Sequence, residues 1–168
     1  MAGNKYIKNL NGTLTEQAGT QVGGTGHENE IPALDAAGRL DVSMMPVGVA
    51  PEVSLLTASE NLAAGDFVNI WNNAGTANVR KADATTQGKE AHGYVLAAFN
   101  SASTATVYLE GTNTAVTGAT AGNVFLSTTA GGFTPTAPSG SGNVVQRLGV
   151  ATSATTINFE PQQPITLA

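Results

Sequence analysis

The sequence predicts an all-β fold, a small β-barrel or β-sandwich domain preceded by an extended N-terminal arm. Three observations carry this. From residue 53 onward, short runs rich in Val, Ile, Thr, Phe and Tyr recur at close spacing between Gly, Asn, Ser and Pro clusters. Over the same stretch no segment keeps a 3.6-residue apolar period for three turns, which argues against helices and a βαβ plan. Before residue 53 the pattern changes too often to make a regular sheet or helix. The chain is therefore divided into an arm over 1–52 and an all-β domain over 53–168, ending in an extended C-terminal tail.

In the arm, "YIKNLNGTLTE" has Tyr6, Ile7, Leu10 and Leu14 flanking an Asn11-Gly12 turn signal, the pattern of a short hairpin. "AGTQVGGTGHENE" follows, glycine-rich and polar. Then "IPALDAAGRLDVSMMPVGVAP" places Ile31, Leu34, Leu40, Met44 and Met45 too irregularly for an amphipathic helix, between Pro32, Pro46 and Pro51. This reads as extended chain with one turn at Ala37-Gly38.

The domain should contain eight strands, in "VSLLTA", "GDFVNIW", "ANVRKA", "HGYVLAAF", "TATVYLEG", "NVFLST", "NVVQRLGVA" and "TTINFEP". Alternation sets Val107 and Leu109 opposite Tyr108 and Glu110, and puts Ile157 and Phe159 on one face. The longest loops, 127–143 and 82–93, are expected at the surface. "EPQQPITLA" should leave the last strand as a tail lying on a neighbouring molecule.

Composition narrows the function. Of 168 residues, 41% are hydrophobic but only 11% charged, against about 25% in an ordinary domain. Much of the surface must then be neutral Thr, Ser, Asn and Gly. With a net charge of -5 and Lys plus Arg numbering 7, the chain is poorly equipped to neutralise phosphates, so no nucleic acid or membrane partner is expected. No run approaches the roughly 18 apolar residues of a membrane span, and "MAGNKYIKNLNGTLTEQ" lacks a signal-peptide core, which predicts use without Sec export. Without cysteine there is neither a disulfide framework nor a thiolate metal site.

Catalytic chemistry is hard to place. His27 beside Glu28 and Glu30 is the nearest approach to a metal site, but a glycine-rich segment with no second His nearby reads as a solvated linker; His92 lies at a strand start. No G-x-S-x-G occurs, and the serines of "PSGSG" are turn residues. Asp66 and Glu110 could form a carboxylate pair by position, although Asp66 in "AAGDF" suits a turn entering a strand. "VGGTG" lacks the strand, helix and Lys of a phosphate loop. Trp71 with Phe67 could form a sugar platform, but a lone strand Trp more often belongs to a core or subunit contact. Phe67, Trp71 and Tyr94 are accordingly the expected subunit-interface residues. No enzyme activity, cofactor or metal is expected.

The run "IPALDAAGRLDVSMMPVGV" resembles a segment widespread in structural proteins of tailed bacteriophages, where a "KI-ALD-GRLD-S-MP" pattern follows a glycine-rich stretch and precedes a β domain. "LTASENLAAGDFVNIWNNAG", "VRKADATTQGKEAHGYVLAA", "AGNVFLSTTAGGFT" and "GNVVQRLGVATSATTINFEP" are similar to the small β domains of phage capsid decoration, or cement, proteins and of some tail-fibre proteins. The resemblance covers most of the chain. It implies a β-tulip-like domain, a homotrimer, and a place on the outer surface of the phage head after synthesis in the bacterial host cytoplasm. The implied partner is the major capsid protein, whose neighbouring subunits the arm would staple. In that arm Leu34, Leu40, Met44 and Met45 are suited to pack into a neighbour, Met tolerating imperfect pockets. Asp35, Arg39 and Asp41 would fix the register, and Pro46 would help keep the arm extended and lower the entropy lost on docking. The alternative is a head- or tail-fibre module that recognises a host-surface glycan through loops 82–93 and 127–143, although those loops carry only Phe133 as an aromatic ring.

Overall fold

The computed structural model describes residues 5–36, 38–45 and 52–168. The chain forms two compact units, Met1–Ala50 and Pro51–Ala168. In the first, β1 (Lys5–Leu10) and β2 (Thr13–Ala18) pair antiparallel in the register Leu10↔Thr13 to Lys5↔Ala18. Asn11 and Gly12 join them with φ of 51° and 89°, the double positive-φ turn whose twist matches a hairpin and which Asn-Gly favours. The hairpin read from the sequence is present.

Beyond the hairpin, the described residues double back where an extended arm was expected. Thr20 N donates to Ile31 O at 3.0 Å and Ala33 N to Thr20 O at 2.6 Å, setting Pro32 beside Thr20 in a parallel bridge. A 3-10 turn, Val42–Met44, follows. Two glycines permit the close approach: a Cβ at Gly19 would lie 2.9 Å from that of Ala33, and one at Gly23 would lie 2.8 Å from Ser43 O. Of the expected Ala37-Gly38 turn, Gly38 has φ of 74° and donates to Asp35 O, while Ala37, like Pro46 and Pro51, lies outside the described residues.

The second unit is all-β. Strands β3 (Val53–Ala58), β4 (Phe67–Asn73), β5 (Thr76–Lys81), β6 (Gly93–Tyr94) and β7 (Thr104–Tyr108) close a barrel in the order β3-β5-β4-β6-β7, with β3 and β5 parallel and the remaining pairs antiparallel. A five-stranded antiparallel sheet has the order β10-β9-β12-β13-β8. Its strands are β8 (Gly111–Asn113), β9 (Gly122–Leu126), β10 (Phe133–Thr134), β12 (Arg147–Ser153) and β13 (Thr156–Phe159). A small ribbon pairs β11 (Val144–Val145) with β14 (Ile165–Thr166).

Period-2 alternation sends successive side chains into different cores. Val68, Val79, Val95, Ala105 and Val107, contributed by the barrel strands and by the residue after β6, pack together with Ala58 and Leu62. Phe67 and Tyr94 join Val124, Leu126, Leu148, Ile157 and Phe159 in a second cluster, between barrel and sheet. There Phe67 and Phe159 have ring centroids 5.6 Å apart, and Tyr94 stacks on Tyr108 at 5.4 Å. Burial pushes the Tyr94 phenol above its ordinary value, with the nearby Tyr108 adding to the shift.

Each of the eight expected runs contains strand. "NVVQRLGVA" breaks into β11 and β12 at Gln146, whose buried amide clamps Ala91: Ala91 N donates to Oε1 at 2.8 Å and Nε2 donates to Ala91 O at 2.9 Å. Three strands escape the pattern, β8, β10 and β14. Their short, Gly- and Thr-rich or Pro-flanked sequences look like loop. The 127–143 segment thus holds β10, which pairs with β9 through Phe133↔Leu126.

Two expectations need correction. The C-terminal tail lies on its own chain, through Val145↔Ile165 and Leu167 N to Asn143 O at 2.8 Å. Pro161 and Pro164 leave enough free amides for this ladder. Segment 82–93 is not wholly superficial either: Ala82, Asp83, Ala84 and Ala91 are buried, while Thr85 to Gly88 and His92 are exposed.

Candidate attachment site

The expected attachment residues occupy 34–45 of the first unit, on a frame of local turns. Asp35 N donates to Arg39 O at 2.9 Å and Arg39 N donates back to Asp35 Oδ1 at 2.9 Å, closing a tight loop. Asp41 caps the 3-10 turn. Its Oδ1 accepts from Ser43 N at 2.9 Å and Ser43 Oγ at 2.5 Å, and Met44 N donates to Asp41 O. Those donors, the Ser43 hydroxyl first, hold the Asp41 carboxyl below its ordinary value. Gly23 N donates to Ser43 Oγ at 2.8 Å and Gln21 Nε2 to Leu34 O at 3.0 Å, tying the segment to 19–23. Asp35 and Asp41 thus shape the chain that displays the apolar anchors, and no partner is needed to give them that role.

Those anchors face solvent: Leu34 is 57% exposed, Met45 41% and Leu40 38%. Met44 is half-buried, and Pro46 lies outside the described residues. Beside Leu34 opens a groove of about 560 Å³ lined by Tyr6, Ile31, Pro32 and Leu34 with Lys5, Gln21 and Asp35. Ile7, Leu10 and Leu14, expected only as hairpin residues and not among the attachment residues, are 65%, 56% and 71% exposed. Their signal was present, since an Asn-Gly turn fixes register and sets Ile7 and Leu14 on one face.

Apolar exposure is unevenly divided. Among the described residues, every buried hydrophobic side chain lies between Ala58 and Phe159. The described residues of the first unit contribute none, yet they include all the exposed large hydrophobics described except Val53, Leu55 and Ile165.

The other candidates resolve locally. His27 Nδ1 sits 3.0 Å from Glu30 Oε2 and 3.3 Å from Thr20 Oγ1, and the His27 contact holds the Glu30 carboxyl below its usual value. Glu28 instead accepts from the backbone: its own amide first, and then Gly26 N, at 3.0 Å and 3.1 Å from its two oxygens, hold its carboxyl below the usual value as well. No group of three or more His, Cys, Asp or Glu that could hold a metal occurs among the described residues. His92 Nδ1 accepts from Ile70 N at 3.0 Å. Asp66 is the turn residue its sequence suggested, accepting from Ala63 N at 2.8 Å with Lys81 Nζ at 3.4 Å, while the Glu110 carbonyl accepts from the Tyr94 hydroxyl.

The expected subunit-interface trio divides. Phe67 and Tyr94, 0% and 2% exposed, have no surface to give a partner and are core residues of this chain, because β4 and β6 turn that face toward the second sheet. Only Trp71 keeps some accessible surface. Its Nε1 donates to Ser59 Oγ at 3.0 Å, and the Arg80 guanidinium lies 4.7 Å from its ring centroid. Phe133 is half-buried and edge-on to Phe67 at 6.3 Å, so the aromatic ring of loop 127–143 completes the core.

Comparison of the chain with protein-family models, with curated proteins and with solved structures finds no match.

Proposed function

We propose that the protein is a non-enzymatic structural component of a bacteriophage head, a decoration or cement protein on the outer surface of the shell. In this reading the second unit is the displayed body, and the first attaches it to neighbouring copies of the major capsid protein. The supporting observation is the split in apolar burial. A unit of about fifty residues with no buried hydrophobic side chain among those described, and with Leu34, Leu40 and Met45 held outward, gains most by covering that surface on a partner. The "ALDAAGRLDVSMMP" segment that resembles phage structural proteins is the same segment that bears these anchors. A protein that binds the expanded shell and not its precursor would stabilise the shell by mass action.

The test is the copy number of this protein relative to the major capsid protein in purified virions, measured by quantitative mass spectrometry. A ratio near one is expected for a shell-covering protein. A ratio of a few per hundred, or absence from the virion, overturns the proposal.

A further inference from the structure

The hairpin has two unpaired long edges, since its sheet contains β1 and β2 alone among the described residues. The two-residue turn bonds Leu10 to Thr13. Ladder alternation then points the backbone groups of Lys5, Ile7 and Asn9 outward from β1, and those of Leu14, Glu16 and Ala18 outward from β2. These residues also share one face of the hairpin, where Ile7 and Leu14 are diagonal neighbours and exposed. A two-stranded ribbon is marginally stable in water, and open edges are templates for pairing.

Charge selects the occupant. β1, "KYIKNL", carries Lys5 and Lys8 and no acid; β2, "TLTEQA", carries Glu16 and no base. Two β1 edges would bring lysines together, and two β2 edges glutamates. A β1 edge against a β2 edge brings opposite charges together. The Lys5–Glu16 bridge within the hairpin, at 2.8 Å, leaves both side chains about half exposed, so each can still face a neighbour.

We infer that this hairpin is a self-association element, with β1 of one copy adding head-to-tail and antiparallel to β2 of a second copy. In the register that sets Lys5 of the first opposite Glu16 of the second, Ile7 of the first lies beside Leu14 of the second, so these two exposed side chains shield one another as the edge is paired. Each copy uses two different edges, so the contact is heterologous and can be repeated from copy to copy. This inference is independent of the shell-binding reading, which uses residues 34–45.

The chain contains no cysteine, so full-length single-cysteine variants report the pairing cleanly. Ile7→Cys and Leu14→Cys, mixed under mild oxidation, are expected to give disulfide-linked dimers containing one copy of each variant, well above the dimer formed by either alone. Dimers formed by Ile7→Cys alone would mean two-fold pairing of β1 edges and overturn the inference, as would the absence of any cross-link. Light scattering gives a second readout. The unmodified chain is expected to be oligomeric, and Glu16→Pro, which removes an outward amide and leaves the inward ladder intact, is expected to lower its mass while the thermal unfolding of the barrel is unchanged. A monomeric unmodified chain, or an oligomer indifferent to Glu16→Pro, overturns the proposal.

Discussion

Phe67 and Val68 are adjacent in β4, and their side chains belong to different cores: Phe67 packs with Phe159 between barrel and sheet, Val68 with Val79 and Val107 inside the barrel. One strand therefore holds both halves of the second unit together. Phe67→Ala should cost about 3–5 kcal/mol, as for other buried Phe truncations, in urea unfolding of the full chain. A loss below about 1 kcal/mol would mean that the two layers do not depend on this contact.

Gln146 is buried and spends its amide on both backbone groups of Ala91. Gln146→Leu keeps the volume and orphans that N–H and C=O. Each should cost about 1–3 kcal/mol, and amide hydrogen exchange at Ala91 should accelerate. Unchanged protection there would contradict the clamp.

Gly149 has φ of 143°, and a Cβ would fall 1.9 Å from Asn158 O on the paired strand. Gly149→Ala should destabilise by about 3 kcal/mol or more through overpacking and strain. A variant that melts with the unmodified protein would show that β12 and β13 can separate at little cost.

Burial pushes the Asp83 carboxyl up, but hydrogen bonds from the Thr85 hydroxyl, the Lys89 ammonium 3.0 Å away and the Thr85 amide outweigh it, with the Lys89 charge, so its net shift is below the ordinary 3.8. A carboxyl whose folded value is depressed contributes stability above its unfolded value and loses it as pH falls through the folded one. Stability should therefore fall on acidification below about pH 4, and Asp83→Asn should flatten that limb of a denaturation-against-pH curve. An unchanged acid limb would remove Asp83 from the account.

Leu34→Asp and Met45→Asp place charge at exposed anchors, 57% and 41% accessible. On the shell-binding proposal each should weaken binding to purified shells about tenfold or more, with the barrel's thermal unfolding unaltered. Binding that survives both substitutions would take these residues out of the contact.

By itself the sequence determined the all-β class, the hairpin and eight of the strand-bearing runs. These depend on neighbours in sequence: period-2 alternation around Val107 and Phe159, Asn11-Gly12 with its demand for positive φ, and Gly and Pro between runs. It also determined which residues are apolar, but not which of them would be covered. Phe67, Trp71 and Tyr94 look alike as aromatic residues in strand patterns, and only the stacking of sheet on barrel decides that Phe67 and Tyr94 are inside while Trp71 stays partly out. The same holds for β8, β10 and β14. Each has only two or three paired residues, too short for any period, and each exists because a distant partner presents a free edge, as β11 does for Ile165. Burial and edge pairing are long-range properties, set by which segments meet, and only the tertiary structure decides that.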